Sequence, residues 1–150
     1  MSEQNVSVEV SEQPNWGVIV WNGEWTRDDC KNNRRYLFVY GDNLMRSGCK
    51  GQARLRGERN AMGIVTKKKP NMKETSFYTD ADYNDAIRQL DLDVEAIHRE
   101  MNSGDFTHLV IPSECWGTGL AELNVRAPQI YDAVEEVYDA FYDMANEQSV

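Results

Sequence analysis

Tyr36-Leu37-Phe38-Val39-Tyr40, followed by Gly41-Asp42-Asn43-Leu44-Met45-Arg46-Ser47-Gly48-Cys49-Lys50-Gly51-Gln52-Ala53, is the stretch that decides the fold. A short run of aromatic and β-branched residues reads as a buried strand. Glycines just past a strand admit positive φ and let the backbone approach a ligand closely. The pattern recurs at His108-Leu109-Val110-Ile111-Pro112, followed by Ser113-Glu114-Cys115-Trp116-Gly117-Thr118-Gly119-Leu120-Ala121. If the two strands are parallel neighbours, both loops open at the same carboxyl edge of the sheet. Open α/β sheets bind nucleotides and other phosphorylated ligands at that edge.

Outward from these runs, Trp16-Gly17-Val18-Ile19-Val20-Trp21 is another apolar segment, closed by the turn signal Asn22-Gly23. Residues 60–66 read as a further strand, stopped by Lys67-Lys68-Lys69-Pro70. Residues 49–56 read as a short helix whose amino end faces the first glycine loop, and the charged residues 23–34 as a loop. Ile87, Leu90, Val94, Ile97 and Met101 fall on one face of a helix over 83–102, with Asp82 as its N-cap and Ser103-Gly104 as its stop. A last helix runs over 127–145 with Pro128 in its first turn. Val6-Ser7-Val8-Glu9-Val10 alternates as an edge strand would, and otherwise residues 1–15 form a flexible arm. Strands alternating with helices predict one α/β domain over 1–150, its strands largely parallel and joined by right-handed crossovers.

The chain has 150 residues, enough for one domain with a real core, and its 41% apolar content supports folding. A net charge of -9 opposes binding to nucleic acid or anionic membranes. The acidity reads first as a solubility device. The sharper reading is an acidic face for a basic partner or an imitation of DNA. Asp80, Asp82, Asp85, Asp91, Asp93 and Glu95 would supply the carboxylates, although the same region needs its apolar stripe for packing. Cys30, Cys49 and Cys115 are an odd count without CxxC spacing, which implies neither a disulfide framework nor a zinc site. No cluster has metal-ligand spacing, so neither a metal nor another cofactor is expected. The amino terminus lacks an apolar signal core, and no apolar run approaches ~18 residues. A cytoplasmic protein without a membrane partner is the expectation.

Several segments resemble a macro-domain-like family found in bacteria and phages. They are Phe38-Val39-Tyr40-Gly41-Asp42-Asn43-Leu44, then Gly48 and Gly51 with Gln52-Ala53, then Asn60-Ala61-Met62-Gly63-Ile64-Val65-Thr66-Lys67. Gly117-Thr118-Gly119-Leu120-Ala121 is similar to the second loop of the same family, so the resemblance covers residues 36–125. It implies a three-layer α/β/α fold with a mixed, largely parallel sheet. It also implies binding of ADP-ribose or a related nucleotide between two glycine loops, with hydrolysis of ADP-ribosyl linkages as the associated activity. By motif, Asn43 would contact a ribose, Gly48 and Gly51 would form the first diphosphate loop, and Gly117, Thr118 and Gly119 the second. The chain departs from the pattern at Val65, where Pro is common, and at Trp116, where a smaller residue is commoner.

Taken alone, the residues leave two readings at each position. Asp42-Asn43 is either Asx turn chemistry or an amide and a carboxylate offered to a ligand, which makes Asp42 one catalytic candidate. Gly48 to Gly51 is either a tight connection or an anion site of main-chain N–H groups, with Arg46 and Lys50 adding charge. Lys67 is either part of a solvated turn or a residue that reaches a phosphate or acts as a nucleophile, the second catalytic candidate. Trp116 at a loop tip suits a stacking platform or a lid. Arg54 and Arg56 read as surface charges. The rival function is a non-enzymatic phage-type inhibitor or nucleotide-sequestering protein acting on a host partner, told from an enzyme by the absence of product.

Overall fold

Four apolar runs become four strands, and the computed structural model, which describes residues 14–148, arranges them in one sheet. They are β1 (Gly17–Trp21), β2 (Tyr36–Asn43), β3 (Ala61–Lys67) and β4 (His108–Pro112), in the spatial order β1-β4-β2-β3. Every pairing is parallel. A parallel strand covered on both faces carries few polar residues, which is why Leu37 to Tyr40 and Leu109 to Ile111 are continuous apolar runs.

Side chains alternate across the sheet and build two cores. On one face Val18, Leu37, Val39 and Leu109 pack against two long helices, α2 (Tyr83–Asn102) and α4 (Pro128–Gln148). On the other, Phe38, Tyr40 and Val110 pack with Trp25, Cys30, Ala53 and Leu55. The second face is covered by α1 (Arg27–Lys31) and a 3-10 helix over Gly51–Leu55. The result is a three-layer α/β/α fold with a parallel sheet. The alternating segment at residues 6–10 lies outside the described residues. Among the described residues, no helix is long and apolar enough to cross a membrane.

Some local expectations need correction. Residues 23–34 are not all loop. The Thr26 hydroxyl accepts from the Asp29 N–H at 3.1 Å, and the Asp29 carboxylate accepts from the Thr26 N–H at 2.8 Å, a reciprocal cap that starts α1. The helix expected over 49–56 is the shorter 3-10 helix. Asp82 precedes α2 but makes no side-chain cap. It instead closes a capping box with Thr79, one turn earlier. A short helix α3 (Leu123–Arg126) leads into α4.

The connections leave β2 and β4 in opposite directions. After β2 the chain passes to the α1 face through the 3-10 helix, and after β4 it passes to the α4 face through α3. Adjacent parallel strands that send their loops to opposite faces leave a crevice between them, the topological switch point of an open α/β sheet.

Candidate functional site

A cleft of about 370 Å³ occupies that crevice. Gly48, Gly51, Gly117 and Gly119 all line it, so the two glycine loops do meet across the carboxyl edge. Three of the four hold positive φ: Gly48 at 93°, Gly51 at 61° and Gly117 at 96°. Gly117 has a packing reason as well, because a Cβ there would stand 2.9 Å from the Leu123 side chain. Among the described residues, the backbone N–H groups of Gly48, Cys49 and Gly51, and of Gly119, Leu120 and Ala121, donate to no protein acceptor. Such main-chain donors at a strand end are what a phosphate requires.

The third wall comes from β3. A bulge offsets the register between Asp42, paired with Val65, and Asn43, paired with Lys67. Thr66 and Lys67 are thereby brought to the cleft, and the Thr66 hydroxyl donates to the Asp42 carbonyl at 3.4 Å. Gln52 lines the opposite side, its side-chain oxygen accepting from the Gly41 N–H at 3.0 Å. Pro70 closes one end, within 3.2 Å of where a Gly48 Cβ would lie.

Asp42 lines the cleft, but its carboxylate is enclosed by cations. Its side chain is 1% exposed. Arg56 donates to it twice, at 2.5 and 3.2 Å, and Arg46 once at 3.0 Å. Arg46 also donates to Asp93 at 2.6 Å, and Asp93 accepts the Val65 N–H on the free edge of β3 at 2.9 Å. Arg56 in turn donates from Nε to the Gly48 carbonyl at 2.8 Å and from Nη2 to the Ser47 carbonyl at 3.2 Å. A chain of charge-assisted bonds therefore runs from α2 to the first glycine loop, with Asp42 at its centre. Gly63 leaves the room, since a Cβ there would come within 2.6 Å of the Asp42 carboxylate. Asp42, a catalytic candidate by sequence, is held here as an anchor between Arg46 and Arg56. Arg56, read from sequence as a surface charge, is the residue that holds the loop.

Asn43 lines the cleft and follows the turn reading. Its amide nitrogen donates to the Ser47 carbonyl at 2.8 Å, and its amide oxygen accepts the Met45 N–H at 3.0 Å. Each end of the amide retains capacity for one more bond. Thr118 does not line the cleft: its hydroxyl donates to the Cys115 carbonyl at 2.9 Å and stabilises its own turn. Trp116 is not a lid or a stacking platform. It is 0% exposed, it meets Tyr138 and Phe141 edge-on, and its indole N–H donates to the Val39 carbonyl at 3.0 Å. An indole carries a large apolar surface and one donor, and this position satisfies both.

With Asp42 neutralised by its arginines, Lys50 and Lys67 are the remaining charges on the cleft wall. Lys67 is buried, and burial pushes its amine below the usual lysine range. Cys115 reaches the cleft as a thiol pushed up to about 12 by burial, which makes it a poor nucleophile at neutral pH. Cys49 is exposed on the same wall.

A family model described as a family of unknown function (DUF7831) matches residues 20–137, a span that includes every residue lining the cleft. No curated protein and no solved structure matches the chain.

Proposed function

The chain belongs to the DUF7831 family, whose function is unknown, and from the cleft itself we propose that it binds ADP-ribose or a related nucleotide between its two glycine loops. One observation carries this reading: two glycine loops from adjacent parallel strands line one cleft whose walls offer free main-chain N–H donors and two lysines, in a chain of net charge -9. A cationic recess on an acidic surface selects an anionic small molecule over a polyanion, which the rest of the surface would repel. The macro-domain-like resemblance supports the nucleotide.

The reading is of a sequestering protein more than of a hydrolase. Asp42 is the one carboxylate among the residues lining the cleft, and its oxygens already accept from Arg46 and Arg56. A general base needs a lone pair within reach of the proton it removes.

Melting with ADP-ribose tests the proposal. At a hundredfold excess over Kd, binding adds about 2.7 kcal/mol of stability, which for a domain of this size raises Tm by roughly 5–10 °C. Gly119→Val is the informative variant, because a Cβ at Gly119 meets nothing within 4 Å and φ there is not positive. It is expected to melt like the wild type alone and to lose the ligand-induced rise. Wild-type melting unmoved by millimolar ADP-ribose, ADP and AMP would sink the proposal. Recovery of intact nucleotide after denaturation separates a binder from an enzyme.

A further inference from the structure

Among the described residues, four charged side chains are buried: Asp42, Glu58, Lys67 and Asp93. Three have counter-ions. Asp42 meets Arg46 and Arg56, Glu58 meets Arg27 at 2.5 Å and Arg34 at 2.9 Å, and Asp93 meets Arg46. Lys67 has none: among the described residues, no carboxylate lies within ion-pair distance of its ammonium. Its neighbours are the Met72 thioether at 3.4 Å and the Phe77 ring, whose centre is 4.5 Å away. A thioether is a weak acceptor, and a ring face replaces only part of the lost hydration of an ammonium. The nearest acidic influence is Glu122, whose carboxylate is already held by Arg126 at 2.8 Å. Arg126 itself lies 3.8 Å from the centre of the same Phe77 ring, so a second cation crowds the niche.

A lysine buried as a residue and lacking a counter-ion is costly. At this position an apolar residue would pack against Met72 and Phe77 without that cost. The surrounding chain departs from its own practice of pairing every other buried charge, and it does so on the wall of the cleft.

We infer that the Lys67 ammonium is the docking point for a phosphoryl group of the cleft's ligand, which completes the ion pair that the protein leaves open. The inference rests on the reading of the cleft as a nucleotide site and adds to it the charge its ligand must carry. The ligand presents one phosphoryl oxygen to the end of β3 while the main-chain N–H groups of the glycine loops hold the rest of the anion. A nucleoside or a neutral sugar would leave Lys67 unpaired and bind poorly.

The test is Lys67→Met, with Lys67→Gln and Lys67→Arg beside it, titrated with ADP-ribose and with inorganic pyrophosphate by calorimetry and by melting. Without ligand, Lys67→Met is expected to melt at or above the wild-type temperature, because an unpaired buried charge has been removed. Its affinity for both probes is expected to fall at least tenfold, Lys67→Gln is expected to follow it, and Lys67→Arg is expected to retain part of the binding. Wild-type affinity in Lys67→Met, alongside loss of ADP-ribose binding in Gly119→Val, overturns the inference and leaves the nucleotide reading standing. Pyrophosphate binding that depends on Lys67, with no response to ADP-ribose, keeps the inference and removes the nucleotide reading. A ligand-free Lys67→Met that melts well below wild type assigns the ammonium to holding the 67–77 loop and overturns the inference. A wild type that binds neither probe removes both.

Discussion

Replacing Asp42 with alanine separates an anchoring role from a catalytic one. The carboxylate accepts from Arg46 at 3.0 Å, from Arg56 at 2.5 and 3.2 Å, and from the Asn43 N–H at 2.7 Å, with its side chain 1% exposed. Removing one partner of a buried ion pair costs about 3–5 kcal/mol when the other charge is left stranded. Here the stranding is incomplete. Arg46 keeps Asp93 and the Gly63 carbonyl, and Arg56 keeps the Ser47 and Gly48 carbonyls. Both guanidiniums also retain access to water, Arg46 more than Arg56. The orphaned Asn43 N–H adds about 1 kcal/mol. The expectation for Asp42→Ala is a loss of about 3 kcal/mol, or roughly 6–12 °C in Tm for a domain of this size.

Urea unfolding and calorimetry measure this directly, and affinity for ADP-ribose measured well below the variant's Tm gives the second readout. Because Arg56 grips the first glycine loop through the Gly48 carbonyl, affinity is expected to fall together with stability. Asp42→Asn keeps one acceptor oxygen and is expected to lose less of both. A catalytic carboxylate behaves in the opposite way: such groups are held at some expense to the fold, and their removal leaves stability unchanged or improved. Asp42→Ala melting within about 2 °C of wild type would refute the anchor and return Asp42 to the chemistry of the site.

Two further outcomes follow from the geometry. Gly117→Ala is expected to cost about 2–4 kcal/mol, because positive φ and the 2.9 Å approach to Leu123 act together, whereas Gly119→Ala is expected to be near neutral; equal urea midpoints would contradict the packing described for the second loop. Stability is also expected to decline above pH 9. The Cys30 thiol is pushed up to about 11 by burial, with the Glu58 charge adding to it, so between pH 9 and 11 the unfolded chain has released a proton that the folded chain retains. Its contribution is fully present below pH 9 and is lost as pH rises through 11, with a slope of up to about 1.4 kcal/mol per pH unit. Urea midpoints from pH 8.5 to 10.5 should fall less steeply in Cys30→Ala, and parallel slopes would show that another group governs the alkaline limb.

What the sequence discloses depends on how local the cause is. The strands β2 and β4 are legible because burial on both faces demands continuous apolar runs, and α2 is legible because one buried stripe demands 3.6-residue spacing. The cleft is legible because only glycine occupies Gly48, Gly51 and Gly117 without strain. The start of α1 was also locally encoded, in Thr26 and Asp29, but the charged residues around them read as loop. The roles of Trp116 and Arg46 were not encoded locally. Trp116 finds its acceptor 77 residues away at Val39, and Arg46 finds Asp93 at a separation of 47. The lysine run shows the difference within three residues. Lys67 is the last residue of β3 and is buried, Lys68 pairs with Asp82 at 3.2 Å, and Lys69 faces solvent. Three identical side chains in succession thus have three electrostatic fates. Composition cannot distinguish them, because the end of the strand decides which of the three is buried among Met72 and Phe77 without a counter-ion.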